Sequence, residues 1–490
     1  MQRTSIKRNY LYSVLYQLLS ILIPIITAPY LTRVMGAEAL GVYSYTNSVA
    51  HIFFMLTMLG VLNYGSREIA AYREDKQLLG EKFSEIVWMQ LLIGFVVIIF
   101  YTLYIVYLWI DGDNSNALAA ILWLFYIVSG IIDISWFYWG IEQFSVTVLR
   151  NVLIKILTTI GIFCLVHKSG DIYIYISLIS LSSLLSQGYL WVVIYKYVKF
   201  KKVTVKNIIY HIKPNFILFI PVVAVSFYTV INKILLGDLS SMEQLGYFDN
   251  VQKVYTLPLG LIIALGAVML PRMANLLSNK RWDESMKYLL LSMQITNIMS
   301  IGFSFGLAAI SPVFVVVYFG EDFLSCVELM EYYAISLVFV AWASVIRNQY
   351  LIPNKKDKTY IISVFVGAVV NIVTNIILIP LFYAIGAVIS SIITEVVVSL
   401  VQTYYVYKSI NIKSYFIQAV PFIIPGFIMF WCVRLTGTYW GETVITLIAE
   451  LIVGALVYTI GVLVMLYFSQ TLLGSIVREQ FVRYFHGSKR

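Results

Sequence analysis

The sequence predicts an all-α, polytopic membrane protein with about fourteen transmembrane helices, on the basis of its composition, its apolar runs and its loop charges. The 490 residues are 60% hydrophobic and 12% charged, and their mean hydropathy is +0.85. Soluble domains carry about 25% charged residues. Apolar runs of about 20 residues recur along the whole chain, and no segment is long and polar enough for a soluble domain. We therefore expect the function to be carried out in or against the bilayer.

Apolar windows divide the chain into successive spans. In chain order they are 9–34, 42–65, 83–109, 117–138, 144–166, 172–195, 215–237, 246–270, 287–311, 324–350, 360–379, 382–406, 416–436 and 443–467. The first run follows Arg3, Lys7 and Arg8, as in a signal peptide, but it continues over 10–31 without a small-residue cleavage site. We therefore interpret it as a retained first span.

The charges of the connections predict the orientation. Alternate connections are basic, at 71–82, 196–213, 271–287, 353–358 and 407–415. The opposite ones read DGDNSN, HKSGD, GDLSSMEQ, YFGEDF and TGTYWGE and have Lys168 as their only lysine. The positive-inside rule then places both termini in the cytoplasm. This asymmetry and the basic tail VREQFVRYFHGSKR account for the net charge of +9, so we predict anionic lipids as partners and no nucleic acid.

The three cysteines, Cys164, Cys326 and Cys432, stand alone in apolar segments. Because they form no CxxC pair and no cluster with histidine, the sequence predicts neither a disulfide nor a metal site. No cofactor is predicted.

Two stretches 205 positions apart resemble each other. Leu40-Gly41 aligns with Leu245-Gly246, and an arginine follows each glycine by 26 positions, as Arg67 and Arg272. An even number of spans per copy gives both copies the same orientation. The repeat therefore predicts two six-helix lobes related by a pseudo-twofold axis along the membrane normal, a plan of secondary transporters. The predicted division is an N-lobe at 1–200, a C-lobe at 201–410, and two further helices with the basic tail at 411–490. A helical array without functional symmetry is the alternative.

Several charged residues fall inside the predicted spans, where each costs about 2.5 to 3.5 kcal/mol at a helix centre. A water-filled cavity or an ion partner is therefore expected around them. Cations outnumber carboxylates, and arginine forks and lysine point charges suit phosphate oxygens, which predicts a phosphate-bearing substrate. The candidate residues for binding it are Arg33, Arg150, Lys155, Lys233 and Lys253.

Alternatives stay open for some of these residues. Arg33 also fits an anchor in the outer headgroups, and Lys253 is placed to pair with Asp249 four residues before it. Lys155 lies near mid-span on the face of Asn151, whereas Arg150 points about 140° away. The fifth span therefore presents one of these two cations to the substrate path.

Four residues are candidates for ion coupling: Glu395, Asp133, Asn371 and Asn375. Glu395 stands near mid-span after the small residues Gly386, Ala387, Ser390 and Ser391, which allow close helix approach. It either titrates or holds a cation, Na⁺ or H⁺, during a transport cycle, or makes a structural hydrogen bond. The two asparagines fit an ion site and interhelical hydrogen bonds equally well.

Residues at the cytoplasmic ends of the second and eighth spans form a candidate gate. They are Arg67, Glu68 and Arg272, and ordinary positive-inside anchoring is the alternative explanation for them.

Four segments, spread along nearly the whole chain, are similar to those of a known family. They are NYLYSVLYQLLSILIPIITAPYLTRVMGAEALGVYSYTNSV, LNYGSREIA, FYWGIEQFSVTVLRNVLIK and YLIPNKKDKTYIISVFVGAVVNIVTNIILIPLFYAIGAVISSIITE. These segments resemble Wzx-type polysaccharide flippases of the MATE/MurJ-like exporter superfamily, also called the MOP superfamily, which implies a location in the bacterial plasma membrane. The resemblance implies fourteen helices in two lobes that rock between inward-open and outward-open states. It implies an undecaprenyl-diphosphate-linked oligosaccharide as substrate, for capsule or other surface polysaccharide, with the cations above binding the diphosphate. It also suggests a polysaccharide polymerase as a partner of a monomeric transporter.

Two other function classes compete with this interpretation. A MATE-like exporter of cationic drugs would favour carboxylates in the lobes, and the cationic surplus argues against it. A membrane glycosyltransferase or polymerase would use Asp111-Gly112-Asp113 as a DxD metal site. Because DGDNSN has ordinary turn composition and no large outer loop accompanies it, we predict a transporter and not an enzyme.

Overall fold

The computed structural model describes residues 6–469 and 471–486, with the side chains of 6–22, 220–228 and 480–486 left out. Arg3 and the last four residues of the basic tail lie outside the described residues, as do the side chains of Lys7 and Arg8. The described chain is helical and contains no β-strand, which confirms the predicted all-α class.

The chain divides into two compact units, Met1–Gly237 and Asp238–Arg490, with the boundary inside a helix. The predicted division at 200 and 410 stays a prediction. The helices that begin in unit 1 are α1 (Ile6–Met58), α2 (Val61–Tyr72), α3 (Lys76–Asp111), α4 (Asn114–Ile131), α5 (Ser135–Gly140), α6 (Phe144–Leu165), α7 (Ile172–Ile194), α8 (Val205–Tyr210) and α9 (Ile212–Leu239).

The helices of unit 2 are α10 (Met242–Ser278), α11 (Trp282–Phe314), α12 (Ser325–Ile346), α13 (Asp357–Val406), α14 (Ile412–Ala419), α15 (Ile423–Trp440), α16 (Val444–Phe468) and α17 (Leu472–His486). Short π-helical segments, Val315–Phe319 and Arg347–Leu351, extend α11 and α12.

Eleven described segments are long and apolar enough to cross a membrane. Two helices are too long for one crossing: α1 has 53 residues and α13 has 50, whereas about 20 residues cover the hydrocarbon core. Each is bent at one residue with positive φ, Gly36 (φ 72°) in α1 and Tyr383 (φ 52°) in α13. If α1 and α13 each cross the membrane twice, the eleven segments make thirteen crossings. With α9 as a further crossing, the total is the fourteen predicted from the sequence.

A helix break separates α1 from α2 at Leu59 (φ 38°) and Gly60 (φ 84°). A Cβ at position 60 would lie 3.1 Å from the backbone nitrogen of Phe219 and 3.2 Å from the carbonyl oxygen of Asn215. Glycine is therefore required both by the backbone conformation and by the close approach of α9. The second copy of the repeat has no glycine at the matching position, and α10 runs unbroken through it.

Polar side chains cap the helices at the turns that the sequence predicts. The carboxylate of Asp75 accepts hydrogen bonds from the backbone nitrogens of Gln77 (2.8 Å) and Leu78 (3.1 Å) at the start of α3. At the start of α4, Asp113 accepts from the backbone nitrogen of Asn116 at 3.2 Å, and Gly112 ends α3 in the left-handed conformation. The DGDNSN segment is thus a turn whose second aspartate caps a helix.

Each unit has its own apolar core. In unit 1, Phe83 of α3 packs edge-on against Phe137 of α5, with ring centroids 4.9 Å apart, and both side chains are fully buried. In unit 2, one cluster joins α10, α11 and the end of α12 around Met273, Leu289 and Ile346. A second cluster, around Ile301, Phe422 and Val462, joins α11 to α16.

Candidate functional site

The five candidate phosphate-binding cations divide between the units. Arg33 on α1, Arg150 and Lys155 on α6, and Lys233 on α9 belong to unit 1, and Lys253 on α10 belongs to unit 2. Their joint role in one site stays a prediction, and each is described below within its own unit.

Arg150 is buried, with 5% of its surface exposed, and amide side chains hold its guanidinium. It donates to the Asn151 side-chain oxygen from Nη2 at 2.9 Å and to the Gln187 side-chain oxygen from Nη1 at 2.9 Å. Gln187 in turn donates to Asp133 Oδ2 at 2.9 Å, and Ser186 donates to the Asn151 oxygen at 3.1 Å. These two amide oxygens hold the guanidinium of Arg150 in place but carry no charge. We call these five residues the Arg150 network.

Asp133 lies in the fourth predicted span, at a helix break inside it. The break separates α4 from α5, and Asp133 Oδ1 accepts from the backbone nitrogen of Ser135 at 2.7 Å. The side-chain nitrogen of Gln90 donates to the freed carbonyls of Gly130 (2.8 Å) and Asp133 (3.0 Å). Such side-chain donors are what makes irregular backbone tolerable at membrane depth.

Lys155 lies one helical turn after Asn151 on α6 and is half-buried. Because α6 contains no aspartate or glutamate, its own helix offers Lys155 and Arg150 no carboxylate partner. Lys155 follows Asn151 of the Arg150 network by four residues, and its role in binding stays a prediction.

Arg33 lies towards the end of unit 1 that carries the 166–171 connection. Tyr30, one turn before Arg33, donates from its hydroxyl to the Val166 carbonyl at 2.6 Å. Arg33 is exposed, and its Nη1 donates to the Pro29 carbonyl at 2.9 Å. That position fits the headgroup anchor as well as a binding role. The charge of Lys233 acts on His51 of α1. His51 therefore lies near a candidate cation, although the sequence interpretation did not consider it.

Lys253 forms an ion pair with Asp249, at 2.8 Å between Nζ and Oδ2. The structure thus contains the pair that stood as the alternative interpretation. The carboxylate is buried while the lysine side chain is 41% exposed, so the lysine amine stays accessible although the pair is neutral overall.

The candidate gate residues are surface residues in this structure. Arg67 is exposed on α2 and Glu68 follows it half-buried. Arg272 on α10 stacks on the ring of Tyr288 of α11, with its guanidinium carbon 3.9 Å from the ring centroid, and it donates to the Tyr288 hydroxyl. Their role as a gate stays a prediction.

Glu395 on α13 belongs to a polar cluster around Tyr333 of α12. Its charge acts on the Tyr333 hydroxyl, which also hydrogen-bonds with Gln252 and Ser391. Tyr333 stacks on Tyr255 of α10 with ring centroids 4.2 Å apart. Three helices of unit 2, α10, α12 and α13, are therefore joined at this point.

Asn371 joins the two arms of α13, and Asn375 supports it from the same arm. The side-chain nitrogen of Asn371 donates to the Thr394 hydroxyl at 3.1 Å, and that of Asn375 donates to the Asn371 side-chain oxygen at 3.0 Å. Ser390 donates to the Asn371 carbonyl at 3.1 Å. The geometry is that of interhelical hydrogen bonds, and an ion-coupling role for either asparagine stays a prediction.

Sequence reasoning missed two ionisable clusters, each of which contains a buried glutamate, Glu85 or Glu450. In unit 1, Glu85 accepts from Lys82 (2.8 Å), His211 (2.9 Å) and Asn207 (2.7 Å), and Tyr64 contacts His211 at 2.5 Å. In unit 2, Glu331, Arg434 and Glu450 lie on three spanning segments. The charged residues of both clusters stand near or inside apolar runs, such as FWCVRLTG around Arg434 and TLIAELIV around Glu450. That was the signal that could have identified them.

Comparisons with known proteins agree with this architecture. A family model described as "Polysaccharide biosynthesis protein" matches residues 6–277. A protein of Shigella dysenteriae and one of Escherichia coli (strain K12), each named "Putative O-antigen transporter", are 23% and 22% identical to this chain. These matches cover 80% and 81% of the chain, and 98% and 95% of the relatives.

Among solved structures, the lipid II flippase MurJ in an inward closed conformation is similar, with a TM-score of 0.73 and 19% identity. The match covers 94% of this chain and 99% of that one. The similarity shows a shared fold.

Proposed function

Since the chain belongs to the polysaccharide biosynthesis protein family, we propose that it is a flippase for lipid-linked oligosaccharide repeat units. Its relatives are named as transporters, and the prediction of a multi-pass membrane transporter that is not an enzyme is confirmed. The finer proposal is that the substrate is an oligosaccharide on undecaprenyl diphosphate, moved from the cytoplasmic to the outer leaflet by alternating access. The transported repeat units are then used to synthesise capsule or another surface polysaccharide.

One observation carries the substrate class: α6 spans the membrane with two cations and no carboxylate of its own. Arg150 is positioned by the oxygens of Asn151 and Gln187, and Lys155 follows on the face of Asn151. Arg150 is connected to Asp133 through Gln187, and Lys155 adds a second cationic side chain to the same helix one turn after Asn151. A diphosphate is the anion that a lysine point charge beside a fixed polar network suits.

The membrane potential favours this direction of transport. A negative cell interior drives anions outward by about 2.3 kcal/mol per charge per 100 mV if the charge moves uncompensated. Export of a diphosphate therefore needs no coupled ion on electrostatic grounds alone. A coupled Na⁺ or H⁺ would add driving force and set the direction of the return step.

The proposal is tested by Lys155→Ala and Lys233→Ala in cells that depend on this chain for surface polysaccharide. We expect each to reduce surface polysaccharide at least tenfold, the factor that corresponds to about 1.4 kcal/mol of lost substrate binding. Membrane levels of the protein, measured by immunoblot, should stay the same.

The matched control is Lys196→Ala, because Lys196 is exposed at the end of α7 outside the apolar run. It removes the same charge and should leave surface polysaccharide unchanged. Normal export in both test variants would remove these lysines from the mechanism. A loss in the control as well would assign the effect to overall charge and not to the site.

A further inference from the structure

A second charged cluster lies in unit 2, away from the cations discussed above. Glu331 on α12, Arg434 on α15 and Glu450 on α16 all fall in segments long and apolar enough to span the membrane. Two carboxylates thus share the neighbourhood of one guanidinium. We call these residues the Arg434 cluster.

Arg434 bonds to its neighbours through Nη2. Its Nη2 donates to the carbonyl oxygen of Ala308 at 2.8 Å and to Glu331, and lies 3.4 Å from the Ser311 hydroxyl. Ser311 in turn donates to Glu331 Oε1 at 3.3 Å. Glu331 is therefore held as an ion-paired carboxylate between α11, α12 and α15.

The other side of Arg434 and the carboxyl of Glu450 are complementary groups that do not bond to each other. Glu450 is 1% exposed. Among the described residues, neither Arg434 Nε nor Glu450 Oε2 has a hydrogen-bond partner, and both atoms are buried. The charge of Arg434 nevertheless acts on Glu450. A donor and an acceptor on adjacent helices are thus both unsatisfied.

Glycine makes the space that the Glu450 carboxyl occupies. A Cβ at Gly437, one turn after Arg434 on α15, would lie 2.5 Å from Glu450 Oε1 and 3.0 Å from Val313 of α11. The carboxyl is therefore seated against bare backbone of α15 and an aliphatic side chain of α11. An ionised carboxylate with no hydrogen bond in such surroundings is costly, whereas a neutral carboxylic acid is tolerated.

We propose that Glu450 is an intramembrane proton-binding site, which holds a proton while Arg434 is paired with Glu331. When the carboxylic acid releases its proton to solvent, the resulting carboxylate attracts Arg434 Nε and competes with Glu331 for the guanidinium. Arg434 on α15 is the charged group that acts on Glu450, and Glu331 on α12 acts through Arg434. Protonation is thereby linked to the packing of α15 and α16 against α11 and α12. The use of this proton in the transport cycle rests on the proposed function, and the binding itself does not.

Infrared difference spectroscopy of the purified full-length protein in lipid nanodiscs tests the binding directly. Spectra are recorded without substrate, in buffers that contain choline as the only added cation, as the pH is raised. We expect the wild type to lose the carbonyl band of a buried protonated carboxyl. Glu450→Gln should lack that component of the difference spectrum. Gln has nearly the shape of the neutral acid, so the variant should insert and fold.

Two further variants make the assignment specific. Glu442→Gln changes a carboxylate that is exposed on the neighbouring turn and should leave the band unchanged. Glu331→Gln keeps Glu450 but leaves Arg434 without its competing partner, so the band should disappear at a pH lower by about 1 unit or more. This shift tests the site in a chain that retains Glu450, even if Glu450→Gln fails to insert.

The proposal fails if Glu450→Gln shows the same loss of the band as the wild type, or if Glu331→Gln leaves the titration where it was. It also fails if Na⁺, added in place of choline at constant pH, removes the band, because the group would then be a sodium site. None of these measurements involves substrate. Their outcome is therefore separate from that of the polysaccharide test of Lys155 and Lys233.

Discussion

Arg150 depends on residues outside its own helix. Its buried guanidinium donates to Gln187 of α7, and Gln187 donates to Asp133 in a helix break. The position of Arg150 inside an apolar run indicates that the guanidinium needs a partner, but no spacing in the sequence connects Gln187 or Asp133 to α6. The same holds for Glu450, whose environment depends on Gly437 of the preceding helix.

The Arg150–Gln187 contact predicts a measurable coupling. Gln187→Leu leaves the buried guanidinium short of one charge-assisted hydrogen bond, which should cost about 1 to 3 kcal/mol of stability. Arg150→Met removes the charge as well, and the double variant should lose less than the sum of the two single variants. Thermal unfolding of all four proteins in the same detergent measures this coupling. Additive losses would show that the bond at 2.9 Å contributes nothing to stability.

At the scale of elements, apolar periodicity predicts where helices cross, but it does not predict where they bend or stop. The run that contains Asp133 reads as one helix because Trp, Phe and Tyr continue the apolar pattern. The chain breaks there since Gln90 of α3 can satisfy the freed carbonyls, a contact between positions about 40 residues apart. The bend at Gly36 falls on a glycine, and the bend at Tyr383 follows Pro380 by three residues. Hydrogen bonds such as that from Asn371 to Thr394 then hold the two arms of α13 together.

The break at Gly60 gives a prediction for an element boundary. Gly60→Ala forces a positive φ on alanine and places its methyl group 3.1 Å from the Phe219 nitrogen, so we expect a loss of about 1 to 3 kcal/mol. Gly188→Ala on α7 is the matched control, because a Cβ at that position meets nothing within 4 Å. It should be neutral or slightly stabilising, as expected for alanine in a helix. Equal unfolding temperatures for the two variants would contradict the requirement for glycine at position 60.

For the whole molecule, the distribution of charge predicts an orientation that atomic contacts alone do not supply. Cysteine labelling in intact cells decides it, after Cys164, Cys326 and Cys432 are replaced by serine. We expect Ser169→Cys, in the connection between α6 and α7, to react with a membrane-impermeant maleimide from outside. Ser278→Cys, at the end of α10, should react only after the cells are permeabilised. Both positions lie at helix ends beside exposed residues, so access and not burial determines the result. The reverse pattern would place the basic connections outside and would contradict the orientation predicted from the charges of the connections.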